Sequence, residues 1–313
     1  MHSLKRILGI INPYYKHSLK RCLTSKSCEN VEVEAEQKEK SVITEHFEEV
    51  TLIGINRPEK KNCLNVATAQ LLSDEIDKFE NDEKCAIGVL HGIGGNFCSG
   101  YDLAEISQYN GENEEVLPQF GPLANKIDLC KKPLIAAISG YAVGVGFELA
   151  LMCDLRVMEE TAVMGFLNRR FGIPILCGGT VRLPALIGYS RAMDLILTGR
   201  GIEIKEAFSW GLINRCTATG TALGDTLNLA KSFTKFSQRT LLADRASSHY
   251  ATFSAKQLEE AIQFEKDNAS HLLFEEGVKG AKMFVHEGIG RHGKTYNLKS
   301  VNRMFKEFDE KLL

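Results

Sequence analysis

A glycine-punctuated turn between an apolar strand and an apolar helix constrains this chain more than any other feature. The stretch runs from Lys132 to Gly188 and reads KPLIAAISGYAVGVGFELALMCDLRVMEETAVMGFLNRRFGIPILCGGTVRLPALIG. Pro133 to Ser139 is a short run of apolar residues, the pattern of a buried strand. Gly140 to Gly146 forms the turn, and Phe147 to Met152 begins a strongly apolar helix. Helix starts leave backbone N–H groups without intrahelical partners, and here a carboxylate, Glu148, falls in the first turn. Such a turn can hold negative charge on a substrate oxygen with a proton-transfer group beside it.

Strands alternate with helices on both sides of this stretch, so the fold class is α/β. Val50 to Ile55 and Cys85 to His91 read as strands, and the folded part is placed from near Phe47. Asn65 caps a helix to about Asn81 that carries Ala69, Leu72, Ile76 and Phe79 on one face. Gly92, Gly94 and Gly95 make a loop before Asn96 to Leu103, and Asp102 caps the helix that follows. Another helix is expected over about Leu117 to Cys130. Beyond the central stretch the pattern turns helical: Ser190–Leu197, Ile204–Trp210, then long amphipathic segments over about Gly224–Phe236, Arg239–Tyr250, Ala255–Asn268 and Ser270–Val285.

Composition removes several functions. The chain has 313 residues, 44% of them hydrophobic, enough for a large core. A net charge of -2, with no basic stripe, gives nucleic acid no electrostatic footing. No apolar run approaches the roughly 20 residues that span a bilayer. The nine cysteines lack paired metal spacing and sit mostly in apolar runs, as free thiols in a reducing compartment do. No metal is assigned. Residues 1–28 are basic, contain serine and have no acid, which is the pattern of a mitochondrial presequence; 29–47 turn acidic and polar. The expected organisation is presequence and polar linker over 1–40, core over 41–235, helical region over 236–293 and charged tail over 294–313. Gly144-Val145-Gly146 is no dinucleotide fingerprint, because Leu149 stands where a third glycine or alanine belongs.

Three pieces, Asn96–Leu103, Gly140–Asp154 and Met164–Leu183, together resemble the enoyl-CoA hydratase/isomerase (crotonase) superfamily over about Glu48 to Gly293. The phrase RRFGIPILCGGTVRLPALIG and the ending EEGVKGAKMFVHEGIGRHG resemble one bacterial-type subgroup of it. The resemblance implies a spiral of ββα units with a helical C-terminal region for trimerisation, assembled as a homotrimer or hexamer. It implies acyl-CoA thioesters as substrates, coenzyme A being part of the substrate and no separate cofactor being needed. It implies Tyr101 N–H and Val145 N–H as donors to an enolate oxygen and Glu148 as the proton-transfer group. Lys60, Cys98, Gly100 and Lys282 become the positions expected at the CoA portion. The second glutamate of the family's hydratases is replaced by Asn168, which cannot exchange a proton. Hydration or isomerisation in a mitochondrial matrix is the expected activity. A decarboxylase or other lyase on the same scaffold, or a catalytically weak acyl-CoA-binding member, is the alternative that Asn168 raises.

Overall fold

The computed structural model describes residues 40–108 and 130–272, together with Glu287. The expected presequence, the helix over about Leu117 to Cys130 except its last residue, the final helix beyond Leu272 and the charged tail lie outside the described residues.

The chain opens with an antiparallel pair, β1 (Val42–Phe47) and β2 (Val50–Ile55). Helix α1 (Val66–Asn81) follows, capped by Asn65, whose side chain accepts from Thr68 N–H. Its buried face includes Ala69, Leu72, Ile76 and Phe79, the four residues expected from the spacing. Next come β3 (Ile87–Gly92), the short α2 (Leu103–Ile106), β4 (Leu134–Ile138), β5 (Tyr141–Val143) and α3 (Val145–Met152). Then β6 (Leu155–Glu159), β7 (Val163–Gly165), a 3-10 turn over Leu167–Phe171, α4 (Gly179–Ile187) and α5 (Tyr189–Thr198) follow. The last described elements are β8 (Gly201–Glu203), α6 (Ile204–Ser209), β9 (Arg215–Thr217), α7 (Ala222–Phe233), α8 (Gln238–Phe253) and α9 (Leu258–Leu272).

The described residues form two sheets. The larger has strand order β1-β2-β3-β4-β6-β9, parallel apart from its first pair. The smaller has order β5-β7-β8. Each of β4 and β6 runs out of the large sheet directly into a strand of the small one, and a helix then returns the chain. That is a ββα turn, and its repetition is the spiral.

Because side chains alternate along a strand, β2 serves two cores. Ile53 and Ile55 face α1 and the helices around the small sheet, whereas Val50 and Leu52 face α7. Both faces of the central strands are therefore buried, which is why they read as continuous apolar runs. No described helix is long and apolar enough to cross a membrane.

The three-residue strands β5, β7, β8 and β9 are too short to show a pattern in the sequence, and two longer strands, β1 and β6, also depart from the sequence reading. β1 begins five residues before the expected start of the fold; it is an edge strand whose residues from Glu45 onward are solvent-exposed, so it looks like linker. β6 carries a buried Arg156 as its second residue, which interrupts the apolar pattern. That guanidinium is satisfied by carbonyls: Nε donates to Leu212 O at 2.7 Å and Nη1 to Cys153 O at 2.6 Å.

Candidate functional site

The segment from Phe97 to Asp102 acts as a strap between three elements. Phe97 N–H donates to Ser139 O at 2.8 Å, Cys98 N–H to Tyr141 O at 2.8 Å, and Val143 N–H to Cys98 O at 3.0 Å. On its other side Leu64 N–H donates to Gly100 O at 2.8 Å and Asp102 N–H to Leu64 O at 2.7 Å. These bonds hold Tyr101 against the N-terminus of α3. Val145 is the first residue of that helix, after Gly144 as its cap, so its N–H has no carbonyl one turn behind it.

Between strap and helix lies a cavity of about 240 Å³. Gly100, Tyr101, Gly144 and Val145 line it on one side, and Leu167, Asn168 and Ile173 on another, with Lys60 among the remaining lining residues. The expected donors Tyr101 and Val145 thus share one cavity, and Gly100 and Lys60 share it with them. Cys98 is fully buried and does not line the cavity; it supports the strap from beneath, and burial pushes its thiol up to about 12. Lys282 lies outside the described residues.

Glu148 is near this cavity but not on its wall. Its residue is 1% exposed, and Oε1 accepts from Cys177 N–H at 2.6 Å and Gly179 N–H at 3.0 Å. The Gly178–Gly179 start of α4 was legible as a helix start; its service to Glu148 was not. The free amides at the beginning of α4 draw the carboxylate toward themselves, away from the helix start it belongs to. A Cβ on Gly179 would lie 2.9 Å from Glu148 Cγ and 2.8 Å from Phe166 Cζ, so only glycine permits this approach. Burial raises the Glu148 pKa; the amides of Gly179, Cys177 and Leu176 and the Arg182 guanidinium oppose that shift.

Tyr101 joins the two regions. Tyr101 lines the cavity, and its hydroxyl meets Cys177 Sγ at 3.2 Å, in the same residue whose N–H holds Glu148. Burial, then Cys177 and Glu148, push the phenol well above its ordinary range, so it stays protonated. Neither the tyrosine hydroxyl nor Cys177 had a sequence signal as a site group, because they come together across 76 residues.

Asn168, in the position expected for a second acid, is on the cavity wall. Its Nδ2 donates to Ile173 O at 2.7 Å. Its Oδ1 is buried and has no donor among the described residues.

Asp102 anchors the mouth. It accepts from Arg57 Nη2 at 2.9 Å, Lys60 Nζ at 3.0 Å and the Ala104 N–H at 3.2 Å, so the expected helix cap also carries an ion pair. Burial alone raises its pKa, but the bonds from Lys60 and Arg57 outweigh this and hold it at about 2. Asp102→Asn leaves the buried Arg57 charge without its partner. The expected cost is about 3 kcal/mol, read by urea unfolding at neutral pH. A depressed carboxyl stabilises the fold above its unfolded pKa of about 3.9 and loses that contribution as pH falls through about 2. The gap between wild type and variant therefore shrinks as pH drops below about 4. A pH-independent gap would contradict the ion-pair account.

The chain matches the family model described as enoyl-CoA hydratase/isomerase over residues 45–290. It is 30% identical over 253 residues to "Probable enoyl-CoA hydratase, mitochondrial" of Dictyostelium discoideum, covering 80% of this chain and 83% of that protein. It is 36% identical over 180 residues to the short-chain-enoyl-CoA hydratase of Clostridium acetobutylicum, covering 56% of this chain and 68% of that protein. A crystal structure of enoyl-CoA hydratase subunit I from Geobacillus kaustophilus superposes with a TM-score of 0.74 at 32% identity, covering 79% of this chain and 96% of the other.

Proposed function

Because the chain belongs to the enoyl-CoA hydratase/isomerase family, we propose that it acts on acyl-CoA thioesters as an enoyl-CoA hydratase or isomerase. The observation that carries this reading is the pairing of Tyr101 and Val145 on one cavity, with the α3 N-terminus behind Val145. Adding a nucleophile at C3 of an enoyl thioester, or removing a proton from C2, moves an electron pair onto the carbonyl oxygen. Backbone donors aimed there stabilise the enolate, each by about 2.7–4 kcal/mol of barrier. The donors need no side-chain chemistry, so the bulk of Val145 leaves its N–H intact and shapes only the acyl pocket.

Glu148 is the proton-transfer group in this reading. In hydration it takes a proton from water as the oxygen bonds to C3, and the enolate takes that proton at C2. In isomerisation it removes a proton from one carbon and returns it two carbons along. Glu148 is not among the residues that line the cavity, and the Tyr101 hydroxyl meets the side chain of Cys177, whose N–H holds the carboxylate, so we assign the transfer to an opening of this contact or to a relay through the phenol. CoA enters as part of the substrate, with Lys60 and the backbone around Gly100 at the cavity mouth, and no separate cofactor is assigned.

Purified protein mixed with crotonyl-CoA, a 3-enoyl-CoA and a malonyl-type CoA tests the reading. Turnover of either enoyl thioester supports it. Carbon dioxide release from the malonyl thioester favours a lyase instead, and binding of all three without turnover favours an acyl-CoA-binding member.

Fatty-acid or related acyl-CoA metabolism in the mitochondrial matrix is the setting we assign, supported by the basic, acid-free residues 1–28 and by the relative named as mitochondrial. A homotrimer, or a hexamer made from two, is the assembly we assign. Phe171, Val181, Tyr189 and Leu197 are exposed on the 3-10 turn, α4 and α5, and exposed large apolar side chains on neighbouring elements suit a subunit contact. Sedimentation of the purified chain as a monomer at micromolar concentration would count against that assembly.

A further inference from the structure

We propose that His46, Asp82 and Cys85 form a binding site for a divalent metal ion of the zinc and cobalt class. None of the three lines the acyl cavity, and the inference stands apart from the acyl-CoA reading.

Strand β2 brings the three residues together. His46 on β1 pairs with Thr51 on β2. Cys85 lies two residues before β3, which pairs with the other side of β2, and Asp82 is the cap that ends α1. Cys85 Sγ is 3.4 Å from His46 Nδ1 and 3.2 Å from Asp82 Oδ2, and all three atoms lie within 4.8 Å of one another. In a tetrahedral zinc site, bonds of about 2.3 Å to sulfur and about 2.0–2.1 Å to nitrogen or oxygen put neighbouring ligand atoms about 3.5 Å apart. Two edges of the triangle already have nearly that length. The third closes by rotation of His46, which is exposed.

The surrounding bonds orient these groups as the outer partners of a metal site do. Lys84 N–H donates to Asp82 Oδ1 at 3.0 Å, which leaves Oδ2 to face the sulfur. That bond, then the one from the Cys85 thiol, holds the Asp82 carboxyl below its usual range, so a carboxylate faces the site. Lys132 Nζ donates to Asp82 O at 2.5 Å and to Cys85 O at 2.8 Å, which fixes the loop that presents both ligands. Burial raises the Cys85 thiol, and the hydroxyl of the fully buried Thr51 opposes that shift. An arriving ion takes the place of the thiol proton, which leaves to solvent, and is bound by the thiolate.

The donor set names the class of ion. A thiolate with an imidazole and a carboxylate suits zinc or cobalt, whereas calcium and magnesium take oxygen ligands. Thiolate and carboxylate together balance the two positive charges, and a fourth position is left for water. The bound ion ties the edge strand β1 to the turn between α1 and β3. Spacing in the sequence conceals the site, because His46 stands 39 residues before Cys85. Without an ion the same groups form a hydrogen-bonded trio, so the test has to read the metal itself.

Cobalt(II) is titrated into the full chain after treatment with a chelator and its removal, with thiols kept reduced. Wild type is expected to bind one equivalent, to show a thiolate-to-cobalt charge-transfer band, and to lose the band when zinc displaces the cobalt. Cys85→Ser is expected to abolish the band. His46→Ala, at an exposed position, is expected to weaken binding by at least about tenfold, and it carries the test if the serine variant does not fold. Saturating zinc is expected to raise the unfolding temperature of wild type and to leave that of His46→Ala unchanged. A band absent from wild type overturns the proposal. A band that either folded variant keeps at wild-type affinity overturns it too, and points to another thiol such as the exposed Cys216.

Discussion

Glu148→Gln is expected to lower kcat for the enoyl thioester that the wild type turns over by about 10²–10⁴-fold, with acyl-CoA binding retained. Glutamine has the same shape, and its amide oxygen can still accept from Cys177 N–H and Gly179 N–H, which hold Oε1 at 2.6 Å and 3.0 Å. The local fold is therefore kept while the exchangeable proton is lost. Neither Asn168 nor the permanently protonated Tyr101 offers a base to take over. A pH profile separates this from a packing defect. Burial raises the Glu148 pKa, so activity that needs the carboxylate falls away, as pH is lowered, at a point above the ordinary carboxylate range. The variant's residual rate lacks that limb. Stability moves in the other direction. A carboxyl that binds its proton more tightly when folded contributes fully below its unfolded pKa, and the contribution is lost as pH rises through the folded value. Thermal unfolding should then show wild type losing stability relative to the variant as pH rises through that window. A glutamine variant that hydrates at the wild-type rate removes Glu148 from the chemistry.

Much of the frame behind this prediction is legible in the sequence, because local rules decide it. The apolar runs of β2, β3 and β4 are buried on both faces, so no alternation confuses them with a half-exposed strand. Asn65 and the 3.6-residue spacing of Ala69, Leu72, Ile76 and Phe79 announce α1. Gly140 to Gly146 marks the turn that becomes β5 and the start of α3. What escapes is set by distant partners. Arg156 hides β6 because its charge is neutral to folding only once Leu212, Cys153 and Ala150 supply carbonyls. The orientation of Glu148 depends on amides 29 and 31 residues downstream, and no local pattern carries such a bond. The motif resemblance names Tyr101 for its backbone; the contact of its hydroxyl with Cys177, the residue whose N–H holds Glu148, comes only from the fold. Asn168 shows both sides. Its identity in sequence says that a proton-transfer group is missing, and its geometry adds that an acceptor has taken the place.

Gly146→Ala is expected to destabilise the fold by about 1–3 kcal/mol and to reduce kcat/KM by about 10²-fold. Two effects compete at this position. Gly146 is the second residue of α3, and alanine favours a helix over glycine by about 1 kcal/mol. Propensity alone thus predicts a more stable protein. Packing predicts the reverse: a Cβ here would press on the Cys98 carbonyl oxygen and come within 2.8 Å of Cys98 Cβ and 2.9 Å of its carbonyl carbon. Cys98 has little freedom to yield, since it is fully buried and its backbone bonds Tyr141 and Val143 in the small sheet. Helix and strap must therefore move apart. That separation acts on catalysis directly, because Val145 precedes Gly146 on the helix and Tyr101 lies three residues after Cys98 on the strap. Widening the space between two fixed donors by about 1 Å is enough to lose the alignment on which their effect depends. Gly224→Ala supplies the control. Gly224 lies in α7, exposed, with nothing near its would-be Cβ, so alanine there should add up to about 1 kcal/mol and leave kcat/KM unchanged. Stabilisation by both substitutions would mean that the contact between α3 and the Cys98 strap is loose, and that the donors owe their separation to something other than this glycine.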